Sequence, residues 1–222
     1  FGLRGPPLAG GGETGLRGGA PGPPRAGFLP LSNGTTYLSK AFDDRVGVGL
    51  MISALSELMD RSHPNTIFAA STVMEEVGVR GATTSVEVIN PDVAIILEAD
   101  IAGDVPGVKP EESSVKLGKG PTVLFYDARM IPNLKLRDLV MDTAHEMKIP
   151  LQTSTIEGGA TDGAVVHLHK TGVPTVVIAI PARHIHSHSS IIHREDYDHA
   201  VRLLVALIEK LDENRVTGFL EA

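Results

Sequence analysis

The chain has 222 residues, 42% of them hydrophobic, no cysteine, no tryptophan and a formal net charge of −7. That length suffices for one large domain with its own core, and the acidic balance argues against a nucleic-acid partner. No run approaches the roughly 18 apolar residues of a membrane helix; without cysteine, any metal must be held by His, Asp and Glu.

Residues 1–27 are dominated by Gly, Pro, Arg and Ala. Such a stretch buries too little apolar surface to offset its ordering entropy, and is expected to be a disordered tail preceding a folded domain over residues 28–222. Tyr37 and Leu38 suggest a short strand. From Asp44 to about Asp60, Val46, Leu50, Met51, Ala54, Leu55 and Leu58 fall at three- and four-residue steps, the pattern of an amphipathic helix. The continuous run Thr66 to Val73 predicts a strand covered on both faces. A shorter helix over Gly81–Val88 and a second buried strand over Val93–Leu97 follow. Asp104 to Gly120 reads as a loop, Val123 to Tyr126 as a short strand, Asn133 to Met147 as a helix and Leu151 to Thr153 as another strand. Asp162 to Lys170 predicts a helix closed by Gly172 in a left-handed conformation. A third buried strand spans Thr175–Ile180, and a long helix carries Tyr197, Ala200, Val201, Leu204, Leu207, Ile208 and Leu211. Strands alternating with helices predict a three-layer α/β/α sandwich around a mixed, largely parallel sheet.

The chemistry gathers at the ends of the apolar runs. Glu75 and Glu76 follow the first, Glu98 ends the second, His186 lies beyond the third, and Asp43-Asp44 opens a helix. Ligands of open α/β sheets collect at the carboxyl ends of strands, so these residues are placed to converge. Adjacent carboxylates at such an end suit a metal-dependent hydrolase, one as ligand and one as general base. A bare Glu-Glu is more often a solvated turn; the company it keeps favours the functional reading. Several carboxylates in one cleft repel unless cations intervene, and two divalent ions sharing a carboxylate would relieve them. Asp100 and Asp104 rival Glu98 as the ligand on that strand. His184, His186 and His188 alternate, so an extended segment would set them on one face.

Five stretches carry a resemblance: Ser39-Lys40-Ala41-Phe42-Asp43-Asp44-Arg45-Val46-Gly47, Glu75-Glu76-Val77-Gly78-Val79-Arg80-Gly81-Ala82, Ala102-Gly103-Asp104-Val105-Pro106-Gly107, Gly158-Gly159-Ala160-Thr161-Asp162 and Ile180-Pro181-Ala182-Arg183-His184-Ile185-His186-Ser187. In this order they resemble the dinuclear-metal aminopeptidases that include glutamyl aminopeptidase and the tetrahedral (TET) aminopeptidase, some labelled cellulase M or endoglucanase. The resemblance implies a metalloaminopeptidase that hydrolyses N-terminal residues of peptides with two divalent ions, zinc or cobalt, manganese being a further option. Asp43 would bridge the ions and Asp44 orient it, with a cis peptide after Asp43. Glu75 would be the general base, Glu76 and Glu98 would each ligate one ion, and His186 would be the C-terminal ligand. Thr161 and Asp162 would shape the substrate end of the pocket. Relatives assemble into large shells, so a homo-oligomer is expected, and a cytoplasmic location is compatible with the lack of cysteine.

The chain departs from that pattern in one ligand. The family carries an N-terminal His in a His-x-Asp pattern, whereas no His here precedes His63. The N-terminal strands and small inserted β domain also lack counterparts, and Ala160 replaces a third Gly. One tight and one weak metal site are therefore expected, with low activity. The competing readings are an impaired or non-catalytic relative, serving as a weak metal binder or assembly module, and an endoglucanase. Glycosidases work with paired carboxylates and no metal, and sugar sites are lined with aromatics, which are only 4% of this chain.

Overall fold

The computed structural model describes residues 27–221; the expected tail, but for Gly27, lies outside them. A four-stranded sheet runs in the order β3 (Ala94–Ile101), β6 (Thr175–Ala182), β4 (Thr122–Asp127), β5 (Gln152–Ile156). β3 pairs parallel with β6 and β4 parallel with β5, while β4 and β6 meet antiparallel. The sheet is thus mixed and mostly parallel. Helices α1 (Phe42–Leu58), α3 (Leu134–Glu146) and α5 (Arg194–Lys210) cover one face, and α2 (Arg80–Ile89) with the short α4 (Gly163–Val166) covers the other. A second, antiparallel sheet joins β1 (Leu29–Pro30), β2 (Thr36–Ser39) and β7 (Ser190–His193). A last helix, α6, spans Glu213–Gly218. No helix among the described residues is long and apolar enough to cross a membrane.

Alternation along the strands assigns the layers. On β6, Val176 and Ile178 pack with Leu136, Val140, Leu203 and Leu207 of α3 and α5, whereas Val177 packs with Leu124 and Met130 on the opposite side. On β3, Ile95 and Leu97 face Ala54 and Leu58 of α1, and Ile96 faces Ala82 and Val86 of α2. The same period of two turns Glu98 toward the α2 and α4 layer. The segments that lead into those two helices carry Glu75, Glu76 and Asp162.

Three expectations are corrected. Thr66 to Val73 is not a buried strand: Phe68 and Val73 are about 60% exposed, and no residue from Thr66 to Thr72 enters a backbone–backbone hydrogen bond among the described residues. A continuous apolar run reports burial in general, whereas a strand also needs a neighbour for its N–H and C=O groups. The helix expected over Asp162–Lys170 shrinks to α4. The Gly172 amide returns to the His169 carbonyl and the Val173 amide to the His167 carbonyl, which closes the chain into a turn, with Gly172 left-handed at φ +104° as expected. Glu98 does not end its strand; β3 continues through Ala99 and Asp100 to Ile101.

One buried carboxylate ties the long loop before β4 to the helical layer. Asp196, fully buried in the first turn of α5, accepts the Gly118 and Gly120 amides at 2.7 Å each. Gly120 stands at φ +95° with no room for a side chain, since a Cβ would lie 1.9 Å from the Pro150 carbonyl oxygen. Asp196→Asn presents an amide hydrogen or one fewer acceptor to these two donors, so unfolding in urea should show a loss of about 1–3 kcal/mol. An unchanged midpoint would mean that the loop is held by other contacts.

Candidate metal centre

The antiparallel sheet positions the first two ligands. β2 and β7 pair with Ser39 opposite Ser190. Counting four residues beyond Ser39 reaches Asp43, and four before Ser190 reaches His186. In an antiparallel ladder these steps run to the same end, so the register brings the two residues together. His186 Nε2 lies 3.2 Å from Asp43 Oδ2 and 3.9 Å from Glu76 Oε2. Asp43, Glu76 and His186 form one group whose ligand atoms all lie within 4.8 Å of one another. With bonds of about 2 Å, neighbouring ligands of a tetrahedral ion stand about 3.3 Å apart, so the group has the right donor chemistry and nearly the right spacing for a divalent cation. Both His186 and Glu76 side chains are 63% exposed, so this end of the cleft is open.

The local backbone is shaped to deliver these groups. Ala41, Met74, His184 and His186 are all left-handed, with φ of 56–59°, a conformation that costs free energy in non-glycine residues and recurs at functional sites. His184 and His186 therefore lie in a turn and not in an extended segment, and His186 alone of the three histidines joins the group. The Asp43–Asp44 peptide is cis, as the resemblance implied. Asp44 Oδ1 accepts the Gly47 amide at 3.0 Å, and a Cβ on Gly47 would fall 2.2 Å from Asp44 Oδ2. On the other side, the Glu75 carbonyl accepts the Gly78 and Val79 amides at 2.9 Å, folding the Glu-Glu segment into a tight turn before α2. Gly81 closes it, because its amide bonds the Val73 carbonyl and a side chain there would strike the Val73 backbone at 2.5 Å.

Glu98 supplies no atom to the three-residue group. It stands deeper, and burial pushes its carboxyl up from 4.5 to about 10, reinforced by the charges of Asp44, Glu75, Asp43 and Asp162. Burial raises Asp44 from 3.8 to about 8, against the opposing bond from Gly47. Glu75 rises from 4.5 to about 7, first through burial and then through Asp162, Glu76 and Asp43. Asp43 rises from 3.8 to about 6 through burial and Glu76, with His186 pulling the other way. All four shifts have one sense: each group gives up its proton less readily than it would in water. Asp100 and Asp104 are occupied elsewhere. Asp100 is buried, bonded to Thr122 Oγ1 and the Ile101 amide, and Asp104 pairs bidentately with Arg183.

Thr161 and Asp162 sit at the turn before α4. Thr161 Oγ1 and amide donate to Asp127 Oδ2 at 3.2 and 3.3 Å, and Asp162 Oδ2 accepts from Thr72 Oγ1 at 2.5 Å. Thr72 was not singled out in the sequence; its place three residues before Glu75, on the segment that enters the cleft, was the available signal.

The model of the M42 glutamyl aminopeptidase family matches residues 12–203. Glutamyl aminopeptidase of Lactococcus lactis subsp. cremoris is 34% identical over 193 residues, 87% of this chain and 53% of that protein. The crystal structure of a TET aminopeptidase from a marine-sediment Thaumarchaeota archaeon is 47% identical with a TM-score of 0.85, over 86% of this chain and 54% of that one. The TET1 peptidase of Pyrococcus horikoshii, which can assemble into a tetrahedron or a large octahedral shell, is 29% identical with a TM-score of 0.72, over 83% of this chain and 53% of that one. The chain spans about half the length of the curated relatives it matches. A match of this extent, on a fold shared so closely, makes the chain a member of the M42 glutamyl aminopeptidase family.

Proposed function

We propose that the chain is a metal-dependent aminopeptidase that removes N-terminal residues from peptides with two divalent ions and an activated water. The observation that carries this reading is the Asp43, Glu76 and His186 group beside a carboxyl, Glu75, raised to about 7. When bound, the ions polarise the scissile carbonyl and acidify the attacking water. Asp43, Glu76 and His186 would hold the tighter ion, three protein ligands being the number that leaves a position open in catalytic zinc sites. Asp43 and Glu98 would serve the second ion, zinc, cobalt or manganese like the first. Glu98 stands apart from the three-residue group and offers oxygen alone, so this ion is held weakly and activity rises steeply with added metal. Glu75 takes the proton of the attacking water on a carboxylate oxygen and passes it to the leaving amine. Asp44 orients Asp43 from its own bond to Gly47. The reading includes a homo-oligomeric, cytoplasmic protein, with support from the assembly of the Pyrococcus horikoshii relative and from the lack of cysteine.

With added zinc or cobalt the protein is expected to cleave aminoacyl chromogenic substrates. Glu75→Gln should lower kcat by about a hundredfold or more while leaving metal uptake intact. Turnover no higher than in this variant would remove the reading. Calorimetric titration should show one tight and one weak equivalent, and His186→Ala should abolish the tight one. Two equally tight equivalents would mean that another residue completes the Glu98 site.

The raised carboxyls also fix a pH dependence. Each is protonated more readily folded than unfolded, so its contribution to stability is complete below about pH 4. It is lost as pH rises through about 6, 7, 8 and 10 for Asp43, Glu75, Asp44 and Glu98. The melting temperature of chelator-treated protein should therefore fall from pH 5 to pH 9. Metal competes with those protons and binds better as they leave, so the gap between metal-loaded and metal-free protein should widen over the same range. A gap that stays constant would show that these carboxyls do not face the ions.

A further inference from the structure

Asp162 does not do what an aspartate at its place in a chain usually does. It occupies the residue before α4, where an Asp side chain commonly accepts an amide of the first turn, and it makes no such bond. Thr161 Oγ1 takes over, accepting the Gly163 amide at 3.2 Å. Freed from capping, the Asp162 carboxylate turns to Thr72, whose hydroxyl fixes Oδ2. Oδ1 is buried without a hydrogen-bond partner, on a residue only 9% exposed. No ion pair of the described residues includes it.

A buried carboxylate oxygen with no donor is costly, and this one belongs to the cleft. Its charge is the largest charge effect on Glu75 and also reaches Asp44 and Glu98. It is not one of the three residues whose ligand atoms gather for a metal. A small, positively charged donor brought in from outside would satisfy it. We propose that Asp162 Oδ1 receives the α-ammonium group of the substrate and so restricts the cleft to peptides with a free N-terminus, an inference that rests on the aminopeptidase reading. An ammonium offers three donors and a full charge to a carboxylate whose plane Thr72 already holds, which is the charge-assisted pairing of a strong hydrogen bond. An acylated terminus brings a neutral amide and extra bulk, leaving the carboxylate unpaired. Discrimination of this kind, built on a buried group that only the correct partner satisfies, is steep.

The test compares leucinol with isohexyl alcohol, the same molecule without its amino group, titrated calorimetrically into metal-loaded protein. The wild type should bind leucinol at least about tenfold more tightly, the scale of a hydrogen bond to a charged group. In Asp162→Asn the preference should fall to within about threefold, with metal stoichiometry unchanged. For leucyl chromogenic substrates, KM should rise more than kcat falls. Asp162→Ser, which removes the charge but keeps a polar group, carries the same expectation should the asparagine variant not fold. Full preference retained in either variant, or a lost metal equivalent, would overturn the assignment, the latter by making Asp162 a ligand. A wild type that binds both alcohols alike would overturn it too. Absence of turnover would defeat the aminopeptidase reading alone, because the alcohol comparison needs no catalysis.

Discussion

The governing constraint is repulsion between like charges in a partly dry cleft. Asp43, Asp44, Glu75, Glu76, Glu98 and Asp162 share one region, and His186 is the base among them. In water such a group would spread apart. Here four of the six are pinned from behind: Asp44 by the Gly47 amide, Glu75 by the tight turn into α2, Asp162 by Thr72 and Glu98 by a strand ladder on β3. The fold resists the electrostatic push, and the groups relieve it by holding protons or, where one is supplied, a cation.

The two sheets divide the task. The mixed sheet supplies bulk, with β6 buried along its whole length between helical layers, and sets Glu98 on the face that α2 and α4 cover. The small antiparallel sheet contributes little core of its own. Its role is alignment, since β2 leads directly into Asp43 and the segment before β7 carries His186. A nearby groove is lined by Tyr37, Phe42 and Tyr197, with Lys40, Arg45 and Arg194 among its residues.

Much of this was legible in the sequence because the strongest signals are local. The α1 and α5 periodicities, the β6 apolar run and the left-handed Gly172 each follow from nearest-neighbour chemistry, and the structure places them where expected, although the helix before Gly172 ends sooner. Long-range pairing was not legible. Thr66–Val73 has strand composition but no ladder among the described residues, because composition does not specify a partner. The four-residue β7 went unnoticed, and with it the turn that breaks the alternation of His184, His186 and His188. Glu98 was placed at a strand end because it directly follows an apolar run; β3 instead carries both Glu98 and buried Asp100, the latter satisfied by Thr122 of β4, on the far side of β6. The Asp162 side chain was foreseen near the substrate, but its unpartnered oxygen depends on Thr72, ninety residues away.

The β2–β7 register makes the Asp43–His186 pair a matter of counting. Four residues separate each from the same ladder rung, Ser39 opposite Ser190. Exchanging one side chain for another in those two arms leaves the count intact. Inserting or deleting a residue on one side alone moves that arm by up to about 3.8 Å, the spacing of consecutive Cα atoms, which exceeds a metal–ligand bond of about 2 Å. These arms are therefore far more permissive toward spelling than toward length, and a gap in either one is a sharper sign of a lost metal centre than several substitutions around it.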